Sequence, residues 1–394
     1  MRPPSSPFSL ALWNFSSQWF LLSQGTGTVA LILHQLDYQF QGLRIIAEIV
    51  WIYTIVLLGT CLFFYILRAA VFPKHVVHEL RTNILETSCL ASICIAFTTI
   101  IQMIALQFGA SAGLAAYVLW WINAATAILA VLGIPYVHLK LQSPGTQNVP
   151  PTVLLPFIAA LTSAAGGGVV CLFGGLSAGL QVPVIIVSYL ELAVGLASAL
   201  SLDGVIFSQH YNRNTQAQDK VYQDMILCGP FGQGSFALQS LGRAVMTGSF
   251  AEYDRGTFLT AAAATPIGYV SHFAGLLAWG FGTFWWCFAV ISILQTLLGQ
   301  EGGWRRIRFQ MSAWSVIFPW GVYTNAAVEL GKIMDSAAFR VWSTVLLLLL
   351  LVFWFTNQIF TVKGIITGRV LGLDRGWRWR YLTEDGTEVG WKRA

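Results

Sequence analysis

Charged residues are scarce in this sequence. Asp, Glu, Lys and Arg make up 10% of the 394 residues, whereas hydrophobic residues make up 56%. Soluble domains carry about a quarter charged residues, so the composition excludes a sizeable soluble domain, and with it a receptor that has a large ligand-binding head. Long apolar runs separate the few charges. The composition therefore predicts an all-α polytopic membrane protein.

Catalytic and cofactor-binding motifs are also missing. The sequence has no paired carboxylates, no Ser–His arrangement and no metal-ligand spacing. It also has no Gly-rich loop followed by Lys-Ser/Thr, the motif that binds ATP phosphates. The six cysteines fall inside apolar segments, which indicates packing and not disulfides or metal sites. We therefore expect a protein that is not an enzyme and that carries no cofactor or metal.

The apolar segments that are long enough to span a bilayer number ten. They run over residues 18–34, 43–67, 83–107, 114–139, 152–176, 182–207, 222–247, 269–298, 309–334 and 340–362. We expect a transmembrane domain over residues 18–362, between a cytoplasmic N-tail (1–17) and a cytoplasmic C-tail (363–394). A short surface helix is predicted around residues 257–264.

The distribution of basic residues predicts the orientation of the chain. Of the 22 Lys and Arg residues, 17 lie in the two tails and in the loops on the same side, and 5 lie on the other side. The positive-inside rule then places both termini in the cytoplasm. The net charge of +5 reflects this bias, so it does not indicate a nucleic-acid partner.

Helix-breaking residues are concentrated in the odd-numbered segments. They are Gly25-Thr26-Gly27-Thr28, Pro156 with Gly166-Gly167-Gly168, the run from Gly229 to Gly234, and Pro319 with Gly321. The loops after the third and fifth segments are very short, so the chain is predicted to form five helical hairpins. A broken helix at membrane depth is tolerated only where protein or a watery cavity surrounds it. We therefore expect the odd helices to form a kinked inner ring and the even helices a packed outer ring, as in a channel or transporter.

The ninth segment places Phe318 and Pro319 near the middle of the membrane. Phe318 lies about 14 Å along the helix from Phe309, in a hydrocarbon layer of about 30 Å. Pro319 has no N–H group, so the carbonyl of Ser315 loses its helical partner and a kink is expected there. Two readings stay open, namely an ordinary proline kink and a pore helix whose phenyl ring blocks the path.

Neutral groups on the odd segments are suited to weak binding of an anion. The hydroxyls of Thr26, Thr28 and Ser235 and the amide of Gln233 can replace part of an anion's hydration. New helical stretches that start after Pro230 and Pro319 are expected to present free N–H groups and a positive dipole end. The alternative for each hydroxyl is a hydrogen bond back to its own helix. The odd segments carry no Lys or Arg near the midplane, which favours passage over tight binding.

Acidic residues within the segments require a partner, water or a proton. Glu86, about one turn into the third segment, is a candidate proton site or a vestibule residue. Glu191 lies on an even segment, where a structural hydrogen-bonded role is favoured.

These features resemble a known family. Ten segments in five hairpins, the Trp19–Gly27 stretch WFLLSQGTG and the Phe-Pro centre of the ninth segment are similar to the tellurite-resistance/dicarboxylate transporter family. That family includes plant guard-cell slow anion channels and fungal malate permeases. The resemblance implies a pseudo-fivefold ring of hairpins around a central pore in each subunit of a trimer. It also implies that Phe318 occludes the pore.

Within the family, two stretches are similar to the sulfite-efflux branch: Gln24 to Gly27, and Cys228 to Gly234. The resemblance therefore implies export of sulfite or bisulfite across the plasma membrane. A malate or dicarboxylate transporter is the alternative, because malate permeases share the Gly-Thr-Gly element. The gate is expected at Phe318 and Pro319. The pore and anion-binding residues are expected to be Gln24, Gly25, Thr26, Gly27, Thr28, Gly229, Pro230, Phe231, Gly232, Gln233, Ser235 and Ser315.

Overall fold

Helices make up the regular structure of this protein. The computed structural model describes residues 4, 6–211, 218–298 and 309–373. Within these ranges the only strand-like feature is an isolated bridge between Arg255 and Leu259. The prediction of an all-α protein is therefore confirmed for the described part of the chain.

Ten helices coincide with the predicted segments, and we number them in chain order. They are α1 (Phe20–Gln35), α2 (Leu43–Val71), α3 (Ala91–Phe108), α4 (Gly113–Val137), α5 (Leu155–Phe173), α6 (Ala178–Tyr211), α7 (Gly229–Ala244), α8 (Ala261–Leu298), α9 (Ile317–Ile333) and α10 (Ala337–Ile366). Seven described helical segments are long and apolar enough to cross a membrane, which supports a polytopic membrane protein. The remaining helices, α1, α7 and α9, have 16, 16 and 17 residues.

Each odd-numbered helix follows a short helical segment. These segments are Ser17–Trp19 before α1, Ile84–Cys89 before α3, Pro151–Leu154 before α5, Gln218–Cys228 before α7 and Met311–Val316 before α9. All are 3₁₀ helices except Ile84–Cys89, which is α-helical. A 3₁₀ helix rises about 2.0 Å per residue, so these segments extend the shorter helices. Three further α-helices, Pro7–Trp13, Pro73–Thr82 and Phe250–Tyr253, lie outside the predicted spans.

Contacts between the helices separate an inner and an outer set. Consecutive helices pack in five pairs: α1 with α2, α3 with α4, α5 with α6, α7 with α8, and α9 with α10. The odd helices also contact one another in the order α1, α3, α5, α7, α9 and back to α1, which closes a cycle. We call these five the inner helices and the even-numbered five the outer helices.

Burial follows the same division. In the apolar window of the segment Pro151–Phe173, which contains α5, every residue is buried. In the corresponding window of α2, 22% of the residues are buried, and Ile45, Ile49 and Ile52 are exposed. In a membrane-spanning chain the outer helices thus present their apolar side chains to lipid.

The predicted breaks in the first and fifth segments are wrong. α1 runs without interruption through Gly25–Thr28, and α5 runs through Gly166–Gly168. The glycines serve close packing instead. A Cβ added at Gly27 would lie 2.9 Å from the Cβ of Thr99 on α3, a distance that packed side chains do not reach.

Two further expectations need correction. Pro319 does not kink the interior of a helix, because α9 begins only two residues earlier, at Ile317. A proline in the first turn removes an N–H that has no intrahelical partner in any case. The short surface helix predicted around residues 257–264 is also wrong, since α8 begins at Ala261 and absorbs its second half.

Candidate functional site

Contacts on three sides of α9 show which face points into the inner cycle. The indole of Trp320 donates to the carbonyl of Leu346 on α10, at 3.2 Å. Gly321 lies against α1, and Tyr323 lies against Gly232 on α7. At 3.6 residues per turn, these positions cover the directions of the outer layer and of both inner neighbours. The remaining face of α9 is therefore directed inward.

That inward face carries Phe318, Asn325 and Glu329, which are spaced by seven and four residues and so lie in nearly one direction. The side chain of Phe318 is fully buried. Both polar atoms of the Asn325 amide are buried and lack a hydrogen-bond partner in the described ranges. Glu329 forms an ion pair with Arg243, on α7. The inward face of α9 thus combines an apolar ring with a hydrogen-bonding group about 10 Å further along the helix.

Ser315 and the start of α9 are occupied by local hydrogen bonds. The hydroxyl of Ser315 donates to the carbonyl of Ser312 at 2.6 Å and to that of Tyr222 at 3.1 Å. The N–H of Ile317 donates to the carbonyl of Trp314, so the 3₁₀ segment runs directly into α9. The start of this helix therefore offers fewer free N–H groups than a break in the chain would.

On α1, Gln24 and Thr26 point to opposite sides, since two residues correspond to a rotation of about 200°. The hydroxyl of Thr26 donates to the carbonyl of Leu22 at 2.8 Å and accepts from the indole of Trp354 on α10 at 3.2 Å. Thr26 therefore faces the outer layer. Gln24 faces inward and is buried, and neither polar atom of its amide has a partner in the described part of the chain.

The other predicted residues of α1 contribute to packing. Gly25 faces α9 and Gly27 faces α3, where a Cβ added at Gly27 would collide with Thr99. The hydroxyl of Thr28 donates to the carbonyl of Gln24 at 3.0 Å, which is the alternative of bonding to its own helix. Gln24 is therefore the residue of this stretch that the geometry leaves available to a ligand.

The start of α7 approaches α9 closely. Pro230 lies in the first turn of α7. A Cβ added at Gly229 would lie 3.5 Å from the Cβ of Pro319, and one added at Gly232 would lie 2.8 Å from the backbone nitrogen of Tyr323. Only glycine fits at position 232, because the neighbouring atom belongs to the backbone and cannot move aside.

Two predicted residues of α7 face the outer layer and one faces inward. The ring of Phe231 packs edge-on against Phe281 of α8, with a centroid distance of 4.5 Å. The hydroxyl of Ser235 donates to the carbonyl of Gly275, also on α8, at 2.6 Å. Gln233 lies between them in sequence, rotated by about 160° from each, and is buried. It therefore points to the interior of the cycle.

A further amide, Gln102 on α3, shares this environment. A Cβ added at Gly166 of α5 would lie 2.6 Å from Cγ2 of Thr98, and Thr99 lies against Gly27 of α1. Gln102 follows by one turn, between these two directions, and its buried Nε2 has no partner in the described ranges. Four inner helices thus carry buried amides with unpartnered atoms, because Oε1 of Gln239 on α7 also lacks a partner in the described ranges.

Comparison with known proteins identifies the family. A model of the voltage-dependent anion channel family matches residues 14–362. The chain belongs to the voltage-dependent anion channel family. The resemblance inferred from Trp19–Gly27 and from Phe318 is therefore confirmed at the level of the family, whose similar members are transporters and channels and not enzymes.

Similar proteins come from several fungi. The sulfite efflux pump SSU1 of Arthroderma otae is 28% identical over 353 residues, which cover 88% of this chain and 89% of the pump. The sulfite efflux pump SSU1 of Trichophyton rubrum is 27% identical over 350 residues, with the same coverage of 88% and 89%. The malic acid transport protein of Schizosaccharomyces pombe is 23% identical over 392 residues, covering 93% of this chain and 82% of that protein. An anion transporter is the function class that these relatives support.

Glu86 has more partners than its position in the sequence suggests. Its carboxylate forms an ion pair with Arg68 of α2 at 2.5 Å. It also accepts hydrogen bonds from the hydroxyl of Tyr65 at 3.2 Å and from the backbone N–H of Ser17 at 3.0 Å. Glu86 and Arg68 are both almost fully buried. This network ties the segment before α1, the end of α2 and the segment before α3 together.

Sequence reasoning missed Gln102 and Asn325 as well as the partner of Glu86. A signal for Asn325 was present, because it follows Phe318 by seven residues and so shares its helix face. Gln102 is a lone amide in an apolar run of an odd segment, where a buried polar group needs a reason. The Arg68–Glu86 pair joins residues of different helices, and periodicity within one helix carries no information on such a contact.

Proposed function

We propose that this protein is a plasma-membrane anion transporter that exports sulfite or bisulfite from the cytoplasm through a central pore. The observation that carries the proposal is the chemistry of the inward faces. They present the neutral amides of Gln24, Gln102, Gln233 and Asn325, and α1, α3 and α5 contain no Lys or Arg. Amides donate hydrogen bonds to an anion without holding it as strongly as a cation would, so the anion can leave again.

The pore is formed, in this proposal, by a pseudo-fivefold ring of ten membrane helices. The closed cycle of inner helices and the five consecutive helix pairs support it. Phe318 acts as the gate. Its ring is fully buried on the inward face of α9, and a phenyl group blocks ions by bulk and by dewetting because it offers no hydrogen bond to replace their hydration.

The direction of transport follows from the membrane potential. With a negative cytoplasm, moving one negative charge outward is favourable by about 2.3 kcal/mol per 100 mV. An exporter of this kind needs no ATP. We place both termini in the cytoplasm, on the evidence of the basic residues, and propose a homotrimer in the lipid bilayer by analogy with the fold of the family.

Glu86 has two proposed roles, a proton site and a structural residue. Its ion pair with Arg68 and its bonds from Tyr65 and Ser17 support the structural role, since they join the segment before α1, the end of α2 and the segment before α3. Replacement of Glu86 by Gln distinguishes the two. Loss of the pH dependence of transport in a folded variant supports a proton site, and retained pH dependence supports the structural role.

Malate or another dicarboxylate is the alternative substrate, and the similarity to a malic acid transport protein favours it. A dicarboxylate carries two charges and calls for more cationic contacts than the amides supply. Arg243 and Lys332, the basic residues of α7 and α9, lie in the last turns of these helices and close to Glu329. This charge balance favours bisulfite, which carries a single charge, over a dicarboxylate.

Reconstitution into liposomes tests the proposal. Flux of sulfite, malate, chloride and nitrate is compared in the same preparation under a set voltage. We expect sulfite to move fastest, and outward when the interior is negative. If malate moves faster than sulfite, the proposed substrate is wrong and the proposed pore is kept. If none of the four anions moves in response to voltage, the protein is not an anion transporter of the proposed kind.

A further inference from the structure

A groove of about 670 Å³ opens on the outer surface between α6 and α8. Both helices pack against α7 and diverge from each other towards the surface. The groove is lined by Leu200, Gly204 and Phe207 of α6 and by Gly280, Phe281 and Phe284 of α8, with Asp203 among them. It lies away from the inward faces of the inner helices. Its volume falls within the range of about 300–1,000 Å³ of small-molecule sites.

A carboxylate with a free oxygen lies at the base of this groove. Asp203 is 3% exposed, and its Oδ2 accepts a hydrogen bond from the indole of Trp285 at 3.1 Å. The other oxygen, Oδ1, is buried and has no hydrogen-bond partner among the described residues. An unpaired acceptor on the lipid-facing side of a membrane helix is costly, so a ligand that donates a hydrogen bond is favoured there.

The walls of the groove are flat and its floor is open. The rings of Phe281 and Phe284 are nearly parallel, at 13°, and extend side by side along α8. Gly204 of α6 and Gly280 of α8 both line the groove, and a Cβ added at either one would meet no atom within 4 Å. Flat apolar walls with space between them complement a rigid planar molecule better than a flexible chain, because a rigid molecule loses less conformational entropy on binding.

The depth of Asp203 indicates which donor can reach it. α6 has 34 residues and is about 51 Å long, so a centred helix extends about 10 Å beyond each side of a 30 Å hydrocarbon layer. Asp203 lies eight residues, or about 12 Å, from the end of α6, which places it near the hydrocarbon boundary. The hydroxyl of a sterol lies at this level. Phospholipids present ester acceptors there and an anionic phosphate beyond, and neither complements a carboxylate.

We propose that the groove between α6 and α8 binds a membrane sterol. The sterol hydroxyl donates a hydrogen bond to Oδ1 of Asp203, and the ring system lies against Phe281 and Phe284 and over Gly204 and Gly280. The site is separate from the inward faces of the inner helices, so it links the lipid composition of the membrane to a pair of outer helices that hold α7.

The test uses a photoreactive sterol with a free hydroxyl, added to the full-length protein in liposomes. We expect labelled peptides from α6 and α8 around Gly204 and Gly280, and competition by unlabelled sterol. Replacing either glycine by Leu fills the groove and should lower labelling about tenfold. Gly59→Leu on α2 is the matched control, because a Cβ there also meets no atom within 4 Å and Gly59 is not among the residues that line this groove. It should leave labelling unchanged.

The hydrogen bond is tested separately from the shape. Asp203→Asn keeps an oxygen for Trp285 but turns an amide donor to the groove, and this donor can be accepted by a hydroxyl oxygen or by an ether oxygen, so a sterol and its methyl ether should compete equally well with this variant. A sterol methyl ether, which lacks the donor, should compete about tenfold less well with the wild-type protein. The two glycines lie on different helices. If one of the glycine variants does not fold, the labelling of the other variant still tests the proposal.

Four results would overturn the proposal. The first is wild-type labelling in both Gly204→Leu and Gly280→Leu. The second is equal competition by the sterol and its methyl ether with the wild-type protein. The third is labelling that maps only to other surfaces, as expected if a second copy of this chain covers the groove. The fourth is competition by a lipid amine and not by sterol.

Discussion

The inner and outer helices differ in where their polar groups lie, although both sets are apolar enough to be found as membrane segments. α5 is buried on every side, whereas α2 exposes isoleucine side chains along its length. The inner helices α1, α3 and α9 each carry a buried amide with at least one unpartnered atom, namely Gln24, Gln102 and Asn325. Burial in a membrane protein therefore does not imply an apolar environment, since these three inner helices hold buried amides that can bind an ion.

Glycine also has different uses at the contacts between helices and on the outer surface. At Gly232 and Gly27 on inner helices, an added Cβ would meet a neighbour within 3 Å. At Gly59 on outer α2, the same atom would meet nothing within 4 Å. Close helix contacts are thus built into the inner cycle, and the outer surfaces leave room that lipid can fill.

The largest expected effect comes from breaking the ion pair that joins the layers. Arg68→Met leaves the buried carboxylate of Glu86 without its cation and should destabilise the protein by about 3–5 kcal/mol. The matched control is Asp335→Ala at the surface, where Asp335 is 87% exposed and pairs with Arg340. It should cost about 0–1 kcal/mol. Denaturant unfolding of both variants in detergent measures the difference, and similar losses would show that the Arg68–Glu86 network is not structural.

The two classes of glycine give the next effect. Gly232→Ala forces a Cβ against the backbone of Tyr323 and should cost about 1–3 kcal/mol. Gly59→Ala meets open space and should stabilise its helix by about 0.5–1 kcal/mol. Thermal unfolding of both variants measures the two changes in stability. If the two substitutions have the same sign, the close contact between α7 and α9 is not as tight as described.

The inward amides should affect transport without affecting the fold. Asn325→Leu removes a group that can donate to an anion and should lower sulfite flux about tenfold. The control is Thr26→Val, which alters a hydroxyl that faces Trp354 in the outer layer and should leave selectivity among anions unchanged. Liposome flux of both variants is the measurement. An Asn325→Leu protein with normal flux would place the ion path elsewhere.

The smallest expected effect is a loss of stability at acidic pH, caused by His75 near the end of α2. Burial, and then the charge of Arg68, lower the pKa of His75 below its usual value. Nη2 of Arg68 lies 3.4 Å from Nε2 of His75, so a neutral ring can accept from it. The unfolded state then binds more protons than the folded state, and stability should fall as the pH drops below about 6.5. His75→Gln should flatten this part of the stability curve, and an unchanged slope would contradict the assignment.

Much of the fold follows from hydrophobic runs, and the details of the inner helices do not. The ten segments coincide with helices because an apolar run of this length has one stable conformation in lipid. The breaks expected at Gly25–Thr28 and Gly166–Gly168 are absent, since glycine in a helix also permits close packing. Composition alone cannot tell whether a glycine breaks a helix or allows a neighbouring helix to pack closely. The partner across the interface, such as Thr99 for Gly27, decides between them.

The candidate site could be predicted in part for a similar reason. Gln24, Gln233 and Phe318 lie on the inward faces of their helices, and their roles in the pore and the gate stay predictions. Thr26 and Ser235 are instead held by hydrogen bonds towards α10 and α8. The sequence of a helix does not determine which of its faces points inward. The orientation of the helix about its own axis is set by contacts with other helices.

Anion flux through the Phe318→Ala variant tests the central claim most directly. Sulfite flux is measured in liposomes at a set voltage, beside the wild type and beside Phe231→Ala, whose ring packs against Phe281 in the outer layer. We expect Phe318→Ala to raise flux while keeping the preference among anions, because water can fill the space that the ring leaves. Phe231→Ala should not raise it. If Phe318→Ala only destabilises the protein and lowers flux, or if Phe231→Ala opens the path instead, Phe318 is a packing residue and the gate lies elsewhere.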